Sequence, residues 1–191
     1  MEAARTILEQ GRDGDWEHTL RAVNYGKYLL EYEEGDPEIV IPALYLHDIG
    51  WSRVDFFDFK QAPAYEKYKA PSVQLHMRYG AQMAAEILRE IECDKSARDS
   101  VVAIIAVHDD IRAVFAMNDP SAILVVEADR LDRYGLESLK RYETMFGPDY
   151  LIGSQLEGAK KSRREGLKEW FRTPTAVKLA RKLTKEMGWS L

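Results

Sequence analysis

The residues best suited to chemistry in this chain are its four histidines, His18, His47, His76 and His108, and the carboxylates that adjoin them. His47 is followed directly by Asp48, and His108 by Asp109 and Asp110. His47 and His108 each close an apolar run, and Asp129 follows the apolar stretch 123–126 within the segment EADRLD. A carboxylate emerging at the end of a buried run is costly unless it is paired or binds a cation. Imidazole together with carboxylate is the donor set of borderline divalent metals such as Fe, Mn, Co, Ni or Zn. A single histidine beside an apolar run is more often a hydrogen-bonded core residue than a ligand, so the reading rests on the group. The one cysteine, Cys93, excludes an intramolecular disulfide framework and a multi-cysteine zinc knuckle.

The elements that must carry these residues read as helix after helix. A short apolar-periodic stretch covers residues 2–10 and is ended by Gly11. Asp13 or Asp15 is placed to cap a helix running from about Trp16 to Glu33, which Gly35 stops. Asp36-Pro37 caps and opens the next helix, with proline at the first position, where its missing N–H costs nothing. That helix reaches His47-Asp48, with Pro42 bending it or lying in its first turn. From 51 to 72 the periodicity breaks down into an aromatic-rich segment with two prolines. Long irregular segments inside compact domains are often lids or binding segments. Periodicity returns over 73–90 and 97–108. The runs 101–107 and 122–126 are apolar on all sides and fit a buried helix or a buried strand. They are read as helices, because neither is flanked by hairpin turn signals. Three further helices are expected over 136–147, 148–171 and 174–187, separated by Gly147-Pro148 and Thr173-Pro174. The whole reads as all-α, in one domain spanning 1–191.

Composition agrees with a globular protein. The chain has 191 residues, of which 46% are hydrophobic and 31% charged, with a net charge of −5, which argues against disorder. No apolar run approaches the roughly 18–20 residues that span a bilayer, and no hydrophobic leader follows the N-terminus. The expectation is a cytoplasmic protein with no membrane partner. Charge is uneven, with ten basic against three acidic side chains between residues 160 and 186. Such a stretch suits nucleic acid or an acidic surface in some proteins. Here the charges are interleaved with Trp170, Phe171, Val177, Leu179 and Leu183, the pattern of a solvated helix whose apolar face turns inward. Nucleic acid is therefore not the expected partner.

The ordered set is His18 in HTLRAV, His47-Asp48 in HDIG, His76 in HMRYGAQMAAEIL, His108 in AVHDD and Asp129 in EADRLD. With these residues the chain resembles the HD-domain superfamily of metal-dependent phosphohydrolases. HDIG alone is a four-residue match, and it is the six positions in order on a helical background that make the resemblance specific. It covers about residues 16–135 and leaves 136–191 as a C-terminal helical extension. It implies a compact bundle of at least five helices. It implies too that His18, His47, Asp48 and Asp129 hold one divalent metal ion and that His76 and His108 hold a second, with Asp48 bridging. Asp48 is then the central catalytic residue, two metal ions share an activated water, and no serine or cysteine nucleophile is needed. The implied function is hydrolysis of a small phosphoester, such as a nucleotide. Two alternatives remain open: a di-iron oxygenase of the same superfamily acting on a small polyol or phosphonate, and a non-catalytic metal-containing sensor or binding module.

Substrate contacts are sought around the same residues. Arg21 lies three positions after His18, on the same helix face, where it is a candidate phosphate ligand or an exterior salt bridge. Arg78, just past His76, and Lys60 in the irregular segment are further candidates for binding a small phosphorylated substrate. Asp132 shares a face with Asp129 and, like Asp109, is suited to orienting a ligand or a bound water. Phe56, Phe57, Phe59, Tyr65 and Tyr68 either form a lid that stacks a base or belong to the core. A homo-oligomer is left open.

Overall fold

The computed structural model describes residues 2–62 and 69–189. The protein is all-α: among the described residues there are eleven α-helices, one 3-10 turn and no strand. The elements are α1 (Glu2–Leu8), α2 (Asp15–Leu30), α3 (Pro37–Leu46), the 3-10 turn (Ile49–Arg53), α4 (Phe57–Gln61) and α5 (Pro71–Glu90). They continue as α6 (Lys95–Ile105), α7 (Ile111–Ala116), α8 (Pro120–Asp132), α9 (Leu136–Phe146), α10 (Gly153–Glu169) and α11 (Pro174–Glu186).

Local sequence explains several of the helix starts. Asp36 accepts a bond from the Glu38 N–H at 2.8 Å with Pro37 in the first turn. Asp119 does the same for Ser121 at 2.8 Å ahead of Pro120, and Asp94 caps α6 through Ser96 at 2.8 Å. Each side chain satisfies an amide that has no partner inside its own helix. Both doubly apolar runs are helical, since Val101, Ile104 and Ile105 on α6 and Leu124, Val125 and Val126 on α8 are fully buried. α8 is central: α2 and α3 pack against it, α3 also packs on α6, and α6 on α5.

The segment 51–72, read as irregular, holds most of the 3-10 turn, α4 and the start of α5, and four other differences from the sequence reading each have a physical reason. Neither Asp13 nor Asp15 caps α2. Gly14 takes the cap position in a left-handed conformation (φ 80°) and Asp15 turns its carboxylate to arginines. α6 stops at Ile105, so His108 sits in the turn beyond it, where the Asp110 N–H bonds back to Val107 at 2.7 Å. α7 is a short helix with a single buried residue, Val114, too little to show a period. The expected helix over 148–171 begins only at Gly153, because Gly147 (φ 98°) and Gly153 (φ 50°) break the chain direction.

The C-terminal helices are tied to the core through a buried acid. Glu127 on α8 is fully buried and accepts the Thr173 N–H at 2.9 Å and the Thr173 hydroxyl at 2.6 Å, which seats the start of α11. Phe171 is buried, and Trp170, Val177, Leu179 and Leu183 pack on the core. Arg163, one of the basic residues of this stretch, is not on the solvated face. It is buried and donates to the Ala159 carbonyl at 3.2 Å and to the Arg133 carbonyl at 2.5 Å.

Candidate metal centre

The four histidines arrive at one place from four directions. His18 comes from α2, His76 from α5, and His47 and His108 from the turns that end α3 and α6. The two turn histidines are oriented alike. His47 Nδ1 lies 2.8 Å from the Leu44 carbonyl, and His108 Nδ1 lies 2.8 Å from the Ile105 carbonyl. Carbonyls of a last helical turn lack intrahelical partners, so each accepts the Nδ1–H of a histidine three residues on. This fixes the tautomer and leaves Nε2 as a lone pair facing inward.

Close backbone approach brings these turns against α5. A Cβ on Gly50 would lie 1.9 Å from the His76 carbonyl oxygen and 2.5 Å from the Gly80 nitrogen. Only glycine lets the 3-10 turn rest on the α5 backbone, and that contact sets Asp48 beside His76.

The donor atoms form two triads. His18, His47 and Asp129 make one, and Asp48, His76 and His108 the other, with the atoms of each triad within 4.8 Å of one another. His18 Nε2 and His47 Nε2 are 3.2 Å apart, and so are His76 Nε2 and His108 Nε2. Asp129 Oδ1 lies 3.1 Å from His18 Nε2. Asp48 stands between the pairs. Its Oδ2 is 3.6 Å from His18 Nε2 and 3.5 Å from His47 Nε2, while its Oδ1 is 3.6 Å from His76 Nε2 and 3.7 Å from His108 Nε2. All six residues are buried, none more than 6% exposed.

Outer partners hold the donors in place. Asp132 Oδ2 accepts the His18 Nδ1–H at 2.7 Å, and Arg21 donates to both oxygens of the same carboxylate at 2.6 and 3.2 Å. Arg12 Nη2 donates to Asp48 Oδ2 at 2.6 Å, and the Trp51 indole N–H donates to Oδ1 at 3.1 Å. The Trp51 ring stacks on His76 with centroids 4.1 Å apart. His76 Nδ1 is buried and meets no partner among the described residues. Asp109 joins the Arg130 guanidinium at 2.5 Å and lies 3.6 Å from His76 Nε2.

The electrostatics favour a cation. Burial pushes Asp48 up, but the Arg12 guanidinium and the surrounding imidazoles outweigh it and hold the acid well below the usual carboxylate range. Burial likewise opposes ionisation of Asp129, and Arg130 and His18 reverse the effect. Asp132, held by His18 and Arg21 against its own burial, is drawn down to about 2. Burial and Arg141 act to lower His18, yet Asp132 and Asp129 raise it above its ordinary value. Burial and the neighbouring His108 push His76 down to about 3, so it is a neutral donor. Ionised carboxylates beside imidazole nitrogens about 3 Å apart, in a field that raises His18 and His108 towards the charged form, mark a place that favours positive charge, where a divalent cation would displace those protons. The donor set fits such an ion in both triads.

A cavity of about 60 Å³ opens onto His18, Asp48 and Asp129 and is lined as well by Arg12, Arg133 and Arg141. The three cations expected there from the sequence do not line it. Arg21 is engaged by Asp132, because the same-face spacing that brings it towards His18 brings it to the acid behind that ring. Arg78 is exposed, since two residues along a helix turn a side chain to the far face from His76. Lys60 lies over the Phe56 ring, 4.7 Å from its centroid. Of the expected aromatic lid, Phe56 and Phe59 pack with Trp51, Phe59 also lines the cavity, and Phe57 is exposed, while Tyr65 and Tyr68 lie outside the described residues.

Arg12, Asp15, Trp51, Arg130 and Arg141 escaped the sequence reading. Arg130 alone carried a usable signal, its position inside EADRLD between two buried acids.

The all-α bundle gathers two buried His/Asp groups of the kind that could hold metal ions. The chain belongs to the HD-domain family, whose family model matches residues 15–134. Members of that family bind divalent metals and are for the most part metal-dependent hydrolases. No curated protein and no solved structure matches the chain. No described helix is long and apolar enough to cross a membrane.

Proposed function

We propose that the protein is a phosphohydrolase whose centre holds two divalent cations, with His18, His47 and Asp129 on one, His76 and His108 on the other, and Asp48 shared. The observation that carries this reading is the position of Asp48, one oxygen towards each histidine pair, on the lining of a cavity that three arginines also line. Bound there, divalent cations supply Lewis acidity to a phosphoryl oxygen and lower the pKa of an attacking water.

The chain's own residues do the rest. Asp48 fixes the spacing of the two triads, and Arg12 and Trp51 fix Asp48. Asp132 and the Leu44 and Ile105 carbonyls keep three imidazoles with Nε2 presented inward. Guanidinium groups beside the cavity neutralise a bound anion and the charge that grows on it in the transition state. Cys93 packs against the hydrophobic core and belongs to neither triad.

The test is anaerobic purification with metal counting, followed by assays of phosphate release and oxygen consumption side by side. Phosphate release from small phosphoesters without oxygen uptake is expected. Two irons with oxygen uptake and no phosphoester hydrolysis would replace this reading with an oxygenase.

A further inference from the structure

We infer that Arg141, on α9 and beyond the residues matched by the family model, is the anion grip of the cavity and fits it to a terminal phosphate monoester. The inference rests on the phosphoester reading and deepens it.

Arg141 reaches the cavity by a route built for it. Its Nη2 donates to Asp15 Oδ1, a carboxylate that is 1% exposed. Asp15 also takes the Arg12 backbone N–H at 2.9 Å and the Arg12 Nε at 3.1 Å. One buried acid therefore holds two guanidiniums along the same wall. The aliphatic stem of Arg141 crosses Gly14, where a Cβ would meet its Cγ at 3.2 Å and where φ is +80°. Both constraints call for glycine at that position. The other end of the fork is uncommitted: Arg141 Nε is buried and has no acceptor among the described residues. Burying an unpaired donor of a charged group is costly, and a small shift of the side chain would bring that donor to an anion in the cavity that Arg141 lines.

The neighbouring cations divide by availability. Arg12 is spent on Asp15 and Asp48, Arg130 on Asp109, and Arg21 on Asp132. Arg141 Nη2 lies 3.9 Å from Asp48 Oδ2, so the guanidinium adjoins the carboxylate shared by the two triads. Arg133, also on the lining, is 35% exposed and its nearest acid, Asp109, is 3.7 Å away. Planar N–H pairs suit the oxygens of a phosphate.

Size selects the ester. A water needs about 10–15 Å³ of such space, so the cavity of about 60 Å³ takes one tetrahedral phosphoryl group. Phe59, Tyr142 and Met145 add apolar wall for the rest of the substrate. A phosphodiester would have to place a second substituent beside the phosphoryl group within the same small space.

The experiment uses the full-length, metal-loaded protein, with inorganic phosphate as the calorimetric probe and two chromogenic substrates, a nitrophenyl monoester and a bis-nitrophenyl diester. Arg141→Gln should weaken phosphate binding about 10–100-fold and raise KM for the monoester, with metal content unchanged. Arg141→Lys, which keeps the charge and loses the fork, should fall between the two. Gly14→Ala should displace the stem and weaken phosphate in the same direction. The monoester should be turned over in preference to the diester. Unchanged phosphate affinity in Arg141→Gln, or a preference for the diester, would overturn this inference and leave the phosphohydrolase reading standing. If the wild type neither binds phosphate nor hydrolyses either ester, both fail together.

Discussion

The two triads of the centre use the same donor types but are held in different ways. In the Asp129 triad both imidazoles have polar partners behind them. Asp132, itself clamped by Arg21, holds His18, and the Leu44 carbonyl holds His47. In the triad that contains Asp48, His108 has the Ile105 carbonyl, but His76 has an aromatic ring against its face and no partner at Nδ1 among the described residues. A ligand locked by a charge-assisted hydrogen bond is more basic and better oriented than one located by stacking alone. The same two residue types can thus be set up for tight and for looser binding by what stands one layer behind them. The Asp129 triad is expected to fill first and release last.

The largest way to break this contrast is to remove what the triads share. Asp48→Ala should lose both cations and reduce activity by about 10³-fold or more, read by metal counting and phosphate release. Retention of two ions would separate the triads completely. Asp132→Ala acts on one side only. It should weaken the tighter ion roughly 10–100-fold and leave the other unchanged, which would bring the two affinities together. Trp51→Phe keeps a ring on His76 and removes the indole N–H from Asp48 Oδ1. Its expected effect is about tenfold or less, confined to the looser ion. Glu127→Ala is the control. It lies on the same helix as Asp129 but serves Thr173, so it should cost about 1–3 kcal/mol of stability with both metal affinities intact, measured by denaturant unfolding and calorimetry.

The same contrast separates what was legible in the sequence from what was not. His47 and His108 were visible because each ends an apolar run and is followed by an aspartate, and because the four histidines and Asp129 form one ordered set. The capping pair Asp36-Pro37 announced its helix locally. The outer partners had no such signal. Arg12 meets Asp48 across 36 residues and Arg141 meets Asp15 across 126, pairings created only by packing. Arg21 shows the limit of face arithmetic, which brought it to the right ring but left a phosphate contact and a salt bridge open, and Asp132 decides for the salt bridge. Arg78 failed on the same geometry, two residues being half a helical turn and more. α7 was missed because a helix of under two turns carries no period.

The central claim, a shared Asp48 between two cation sites of unequal strength, is tested most directly by titrating the metal-free protein with Mn²⁺ in a calorimeter, beside His108→Ala. Two ions per chain bound in two phases are expected, with only the weaker phase lost in the variant. One ion per chain in the wild type, or loss of the tighter phase in His108→Ala, would contradict it.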